Sequence, residues 1–178
     1  MTAMKYYQFT PLIGKYAQLR FKEGIETTSL FEVGTRVSQA SLEAVEWSEF
    51  GDSQLHDCPI MNYGIFAFSE KAWSVLGDLL SRDVQAVRLT NISPRCYAIN
   101  VLSLIPALDE QRSKCTFFRN GKVDRVLDYV FRPDLVEGRH MFRIPQRRCD
   151  TFVSEQLLDT AIGAGLKGFI KTKPVVQV

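Results

Sequence analysis

A chain of 178 residues suits one domain with a real core, because a domain of this size buries about 70% of the surface its unfolded chain exposes. Its 46% hydrophobic and 24% charged residues exclude a disordered or fibrous chain, and no apolar run reaches the roughly 20 residues of a membrane span. The formal charge of +2 hides an uneven distribution: residues 37–70 hold six carboxylates and no Lys or Arg, whereas residues 111–150 hold ten basic side chains against five acidic ones. Such asymmetry bears on partners and not on fold.

In chain order, the first residues carry one lysine and then aromatics, without the apolar stretch or cleavage site of a secretory leader, so the expected location is the cytoplasm. Residues 5–9 and 16–21 are aromatic-rich runs separated by Pro11 and Gly14, which predicts two strands joined as a hairpin. A further short strand is expected over 30–37. Between 38 and 57 the apolar spacing of Leu42, Val45 and Phe50 predicts a helix entered at Ser41, with Glu43, Glu46 and Glu49 recurring every third residue and Gly51, Asp52 and Ser53 ending it.

Ser69 is a good helix cap, and Glu70 places negative charge at the positive end of the helix dipole. Ala72, Trp73, Leu76, Leu79 and Leu80 then fall on one face, with Lys71, Ser74 and Asp78 outside. The period changes after Asp83. Residues 84–89 and 96–104 read as two strands, the second nearly continuously apolar and therefore central. Residues 115–118 and 122–130 flank Asn120-Gly121, which predicts a hairpin with a type I′ turn. A loop over 133–138 and a strand over 140–144 follow. Phe152-Val153-Ser154-Glu155 repeats the grammar of Ala67-Phe68-Ser69-Glu70 and starts a second helix, after which 166–170 reads as a final strand.

These elements predict an α+β fold: a mostly antiparallel sheet with two short amphipathic helices packed on it, in a single domain spanning 1–178. Reactive chemistry is sparse. Four cysteines, Cys58, Cys96, Cys115 and Cys149, stand singly, as buried thiols do and zinc ligands do not. His56-Asp57-Cys58 has the residue types of a thiol nucleophile with its base, but sequence neighbours rarely face each other in that way. Gly163-Ala164-Gly165-Leu166-Lys167-Gly168 follows a helix and precedes a strand, the reverse of a phosphate loop. Arg132, Arg139, Arg143, Arg147 and Arg148 with Phe117, Phe118, Tyr129 and Phe142 have the composition of an RNA-binding face, yet the aromatics alternate as strand core residues do. A nucleic-acid-binding or adaptor domain using this basic region is the alternative reading.

The stretch Tyr97-Ala98-Ile99-Asn100-Val101-Leu102, with Ala107-Leu108-Asp109 and Ser113, resembles a family of immunity proteins from bacterial polymorphic-toxin systems, the one numbered eleven in that classification. The Ser69-Glu70-Lys71 helix start before it, and Phe152-Val153-Ser154-Glu155 with Gly165-Leu166-Lys167-Gly168 after it, agree in order, so the resemblance covers residues 65–169 and leaves the first sixty unmatched. It implies a non-enzymatic protein that binds and neutralises a cognate toxin domain encoded beside it. No catalytic residue, cofactor, metal or small-molecule substrate comes with it. Toxins with electropositive clefts would meet a compact acidic surface, and the acidic segment supplies the expected partner-binding residues: Glu43, Glu46, Glu49, Asp52 and Asp57 as charges, Trp47 and Phe50 as anchors.

Overall fold

Most apolar strands of this protein are buried on both faces, and that property shapes the computed structural model, which describes residues 5–11, 16–24, 31–47, 54–61, 65–172 and 174–177. Along the chain the described elements are β1 (Tyr6–Gln8), β2 (Gln18–Phe21), β3 (Ser41–Trp47), β4 (Phe66–Ser69), α1 (Glu70–Leu80), β5 (Val84–Thr90) and β6 (Cys96–Val101). There follow β7 (Lys114–Phe117), β8 (Val123–Asp128), β9 (Val130–Phe131), α2 (Pro133–Val136), β10 (Met141–Ile144), β11 (Arg147–Ser154), α3 (Glu155–Gly163) and β12 (Pro174–Gln177). One five-stranded sheet has the order β10-β11-β1-β12-β9, the other β2-β3-β5-β6-β4, and β7 and β8 form a separate two-stranded ribbon. Pairing is antiparallel except between β12 and β9 and between β3 and β5, so the fold is α+β and mostly antiparallel.

Successive side chains of a strand point to opposite faces, and here each face meets a different core. Ile99 and Val101 of β6 join Phe66 and Phe68 of β4 beneath the helices, while Cys96 and Ala98 join Ala67, Leu42 and Ala44 on the far side. In the other sheet Tyr7, Met141 and Val153 face the helices, and Tyr6, Phe142 and Phe152 face a third, aromatic-rich cluster. This explains the continuous apolar runs: a strand buried on both sides has no polar face to show. The central position expected for the 96–104 run holds, with β6 hydrogen-bonded to β4 and β5. The chain beyond it stitches the two sheets together, Ile105 N–H donating to Arg143 O at 2.8 Å and Arg143 N–H to Ser103 O at 2.9 Å.

Both predicted helix starts form. Ser69 Oγ accepts from Ala72 N–H at 3.1 Å, and Ser154 Oγ accepts from Leu157 N–H at 3.1 Å, each removing one of the orphan donors of a first turn. Ala72, Leu76 and Leu80 of α1, with Leu157, Leu158 and Ala161 of α3, are buried and close the first core from above. Trp73 is only partly buried, its ring 6.1 Å from that of Tyr97.

Several expectations are corrected. Residues 41–47 are a strand and not a helix: Leu42 and Ala44 alternate into a core between β2 and β5, and so short a segment fits either period until tertiary pairing decides. The two N-terminal strands exist but are not a hairpin, since β1 lies between β11 and β12 while β2 pairs with β3 in the other sheet. Residues 31–37 form turns, and 133–136 a single helical turn. The 120–121 turn is not type I′: Gly121 alone has a positive φ, +78°, and its N–H donates to Phe118 O at 2.9 Å, the geometry of a type I turn followed by a left-handed glycine. Residues 166–170 are a turn that lowers Leu166 and Phe169 into the first core, and the last strand is β12.

Candidate partner-binding surfaces

The β7–β8 ribbon and its turn carry three of the five exposed large apolar side chains among the described residues, the others being Ile162 and Ile170. Cys115 and Val126, paired across it, pack against the aromatic cluster at its root. Beyond that root it exposes Phe117, Phe118 and Leu127, at 52%, 56% and 53% of their surface. Lys114, Arg119, Lys122 and Arg125 are exposed around them. Arg125 stands 4.0 Å from Asp124, and Arg119 and Lys122 make no ion pair among the described residues. At its base an open cleft of about 340 Å³ is lined by Leu127, Tyr129, Arg147 and Asp150.

The acidic segment does not make the expected ridge. In a strand Glu43 and Glu46 point to opposite faces, and Glu43 is held by Lys22 at 2.6 Å and Asn91 at 3.2 Å. Its carboxyl is held below the usual range, chiefly by the hydrogen bond from Lys22. Glu46 is exposed, Trp47 ends β3, and Glu49, Phe50 and Asp52 lie outside the described residues. Asp57 acts within the fold, where its carboxylate accepts from the Ser69 hydroxyl at 2.7 Å and from Lys167 N–H at 2.8 Å, tying the start of α1 to the turn after α3. Glu70 pairs with Arg95 at 2.6 Å on the surface.

Three arginines of the basic segment are engaged inside the molecule, whereas Arg112, Lys114, Arg119, Lys122, Arg125, Arg132 and Arg148 are exposed. Arg139 pairs with the buried Asp83 at 3.2 Å, and Arg147 with Asp150 at 3.1 Å. Arg143 is buried, donating to Thr151 Oγ1 at 3.0 Å and to Arg148 O at 3.1 Å. Phe142 is wholly buried, and Tyr129 is turned inward onto Asp150 at 2.6 Å. The aromatics and arginines thus do not line one stacking face.

His56 and Cys58 do not form a nucleophile with its base. His56 Nδ1 accepts from Cys58 N–H at 3.0 Å, while the Cys58 thiol is fully buried and its pKa is pushed well up by that burial. Such a group stays a thiol at neutral pH, and the thiolate is the nucleophile. The His56 ring packs edge-on against Tyr16 and lies so close to Gly168, at φ +97°, that a Cβ there would enter it. The glycine of the supposed phosphate loop is therefore a packing glycine.

Sequence reasoning missed Asp83. It is wholly buried, and its carboxylate accepts from Ser103 Oγ at 2.7 Å, His140 N–H at 2.7 Å, Met141 N–H at 3.2 Å and Arg139 Nη1 at 3.2 Å. Four donors, one from the segment after β6 and three from the start of β10 and the two residues before it, converge on the residue just before β5.

Residues 87–172 match the immunity protein family (Imm11). The Imm11 stretch is a little under half of the chain. It starts within β5 and runs through β6, the ribbon, the Asp83 donors and α3, ending before β12. The Tyr97 and Phe152 motifs lie inside it, whereas the Ser69 helix start, the acidic segment and Asp83 lie outside. No curated protein matches the chain. Among the described residues no helix is long and apolar enough to cross a membrane.

Proposed function

We propose that this protein is an immunity protein: it binds a cognate secreted or contact-delivered bacterial toxin domain in the cytoplasm and neutralises it by non-covalent, stoichiometric association. The observation that carries this reading is the Imm11 match over residues 87–172, which supports an immunity role and spans the ribbon that presents apolar and basic side chains to solvent. Neutralisation by binding needs a surface with desolvated anchors and not a reacting group. The described surface offers Phe117, Phe118 and Leu127 for that purpose.

The test is co-expression with the C-terminal domain of the large protein encoded next to this chain. Rescue of growth, together with a complex of fixed stoichiometry that survives gel filtration, is the expected result. Failure of both removes the reading. Protection at strongly sub-stoichiometric amounts, with no complex, would point to turnover instead.

A further inference from the structure

We propose that the β7–β8 ribbon is the arm that engages the toxin, and that its occupant is an apolar depression with an acidic rim on the toxin domain. The proposal rests on the immunity reading above and adds to it the surface and the chemistry of the partner.

The first ground is exposure without compensation. A two-stranded ribbon is at best marginally stable by itself, so a folded chain gains little by extending one into water with two adjacent phenylalanines on it. Its inward pair, Cys115 and Val126, anchors it, but Phe117 lies past that anchor on the continuing strand, Phe118 opens the turn, and Leu127 sits in a bulge of β8. Elsewhere the sheets are guarded. The open sides of β2 and β4 are covered by the segment 54–61, through Leu19 N–H to Ile60 O at 2.9 Å and Ala67 N–H to Pro59 O at 2.9 Å. Edge strands left open, with apolar side chains beside them, are the features through which chains associate.

The second ground is charge. From 114 to 128 the arm carries Lys114, Arg119, Lys122 and Arg125 against Asp124 and Asp128, a net of +2. Asp124 is occupied by the Thr116 hydroxyl at 3.3 Å and by Arg125. Arg119 and Lys122 flank Phe118 at the tip. Aromatic anchors beside arginine are what interface hot spots are enriched in, and rim cations of this kind select an acidic surround and speed its encounter. Single-stranded nucleic acid would also suit phenylalanines among cations. It is the weaker occupant here, because a phosphate track needs a continuing row of cations, and of those next along the chain Arg132 donates to Pro106 O while Arg139, Arg143 and Arg147 are engaged with Asp83, Thr151 and Asp150.

The test uses the full chain and the C-terminal toxin domain encoded by the adjacent gene, with two double variants, Phe117→Ser/Phe118→Ser and Arg119→Glu/Lys122→Glu. The aromatic pair is expected to weaken binding by about 100-fold or more, at roughly tenfold or more for each anchor, and to abolish growth rescue. Charge reversal should slow association by about tenfold at low salt and flatten its salt dependence. Melting temperatures should stay within about 2 °C of wild type, since surface changes move stability little. Wild-type affinity in both variants overturns the proposal. So does gel filtration that finds the arm buried in a dimer of this chain, or a labelled poly-dT oligonucleotide that binds the wild type and is lost with the aromatic pair while toxin binding persists. A wild-type chain that neither binds nor protects removes the immunity reading itself, whereas a wild type that protects alongside unaffected variants removes the arm alone.

Discussion

Asp83→Ala should be among the most damaging single changes in this protein. The residue follows α1, and its side chain is 1% exposed. One carboxylate oxygen takes the Ser103 hydroxyl and Arg139, and the other takes the backbone amides of His140 and Met141. Removing it leaves two amides without an acceptor at the start of β10. It also leaves a guanidinium that is only 25% exposed and therefore partly able to turn to water. Breaking a buried pair by deleting one partner costs about 3–5 kcal/mol. That is a large share of the roughly 5–15 kcal/mol by which a domain is stable, and it lowers the melting temperature by about 10 °C for a chain of this size. Asp83→Asn should recover part of that loss. Its oxygen can keep the two backbone amides and its amide group can donate to the Ser103 hydroxyl, but Arg139 then meets an N–H group and loses both its acceptor and its countercharge. Arg139→Ala breaks the same pair and leaves the buried carboxylate without its countercharge, but three donors stay on it, so it should cost about 1.5–3 kcal/mol. Urea unfolding of the three variants reads these values. A loss below 1 kcal/mol for Asp83→Ala, or a larger loss for Arg139→Ala than for Asp83→Ala, would refute the view that this carboxylate holds the sheets together.

Trp73→Ala should cost about 2 kcal/mol in the same melts, less than the roughly 3–5 kcal/mol of a fully buried tryptophan, because Ala72, Leu76 and Leu80 fill the centre of the helix contact; a loss of 4 kcal/mol would place the indole in the core. Burial lowers the His140 pKa, against the opposing pull of Asp83. The unfolded chain therefore takes up the proton first, so stability present above the unfolded value near about 6.5 falls as pH drops through the folded one. Unfolding free energies measured between pH 8 and pH 5 should show that decline in wild type and a weaker one in His140→Gln; identical slopes would exclude His140 as its source. Thiol labelling should reach the exposed Cys149 first and Cys115 more slowly. Cys58, and Cys96, whose pKa burial pushes up to about 11, should react only on unfolding. Mass spectrometry after brief alkylation checks the order, and early labelling of Cys58 would reopen thiol chemistry there. Glu46→Lys should change the toxin association rate less than twofold; a slowing of tenfold would return the acidic segment to the interface.

Local grammar was legible where one residue controls one hydrogen bond. Ser69 and Ser154 announce α1 and α3 because a cap is a contact within four residues, and the turn at Gly121 announces the ribbon for the same reason. The pairing of strands was not legible, since it depends on what lies across the sheet. Residues 41–47 contain both a three-residue and a two-residue apolar spacing, and the choice fell to β2 and β5, which bury Leu42 and Ala44. Tyr6 and Tyr7 read as half of a hairpin, yet each fills a different core between β11 and β12. Asp83 gave no signal at all, because its partners lie 20 to 58 positions away.

The candidate site shows the same limit in its charges. A tally along the sequence treats every lysine and glutamate as a contribution to an outward field, whereas folding joins charges in pairs. Glu43 goes to Lys22, Glu70 to Arg95, Arg139 to Asp83 and Arg147 to Asp150, while the Asp57 carboxylate is occupied by neutral donors within the fold. In 37–70 Glu43 and Glu70 are thereby neutralised by cations from outside the segment, and in 111–150 Arg139 is neutralised by Asp83; a paired charge steers a distant partner far less than a lone one. Aromatics follow the converse rule. Phe117 and Phe118 read as strand core residues because they stand in a strand-like run, as Phe142 and Phe152 do, but such a run states which face a side chain takes and not whether anything covers that face. The ribbon passes beyond the body of the protein, so its alternating residues meet water, and its cations at the tip keep their charge. Recognition is therefore expected to depend on the few anchors and cations of that arm more than on the net charge of either segment.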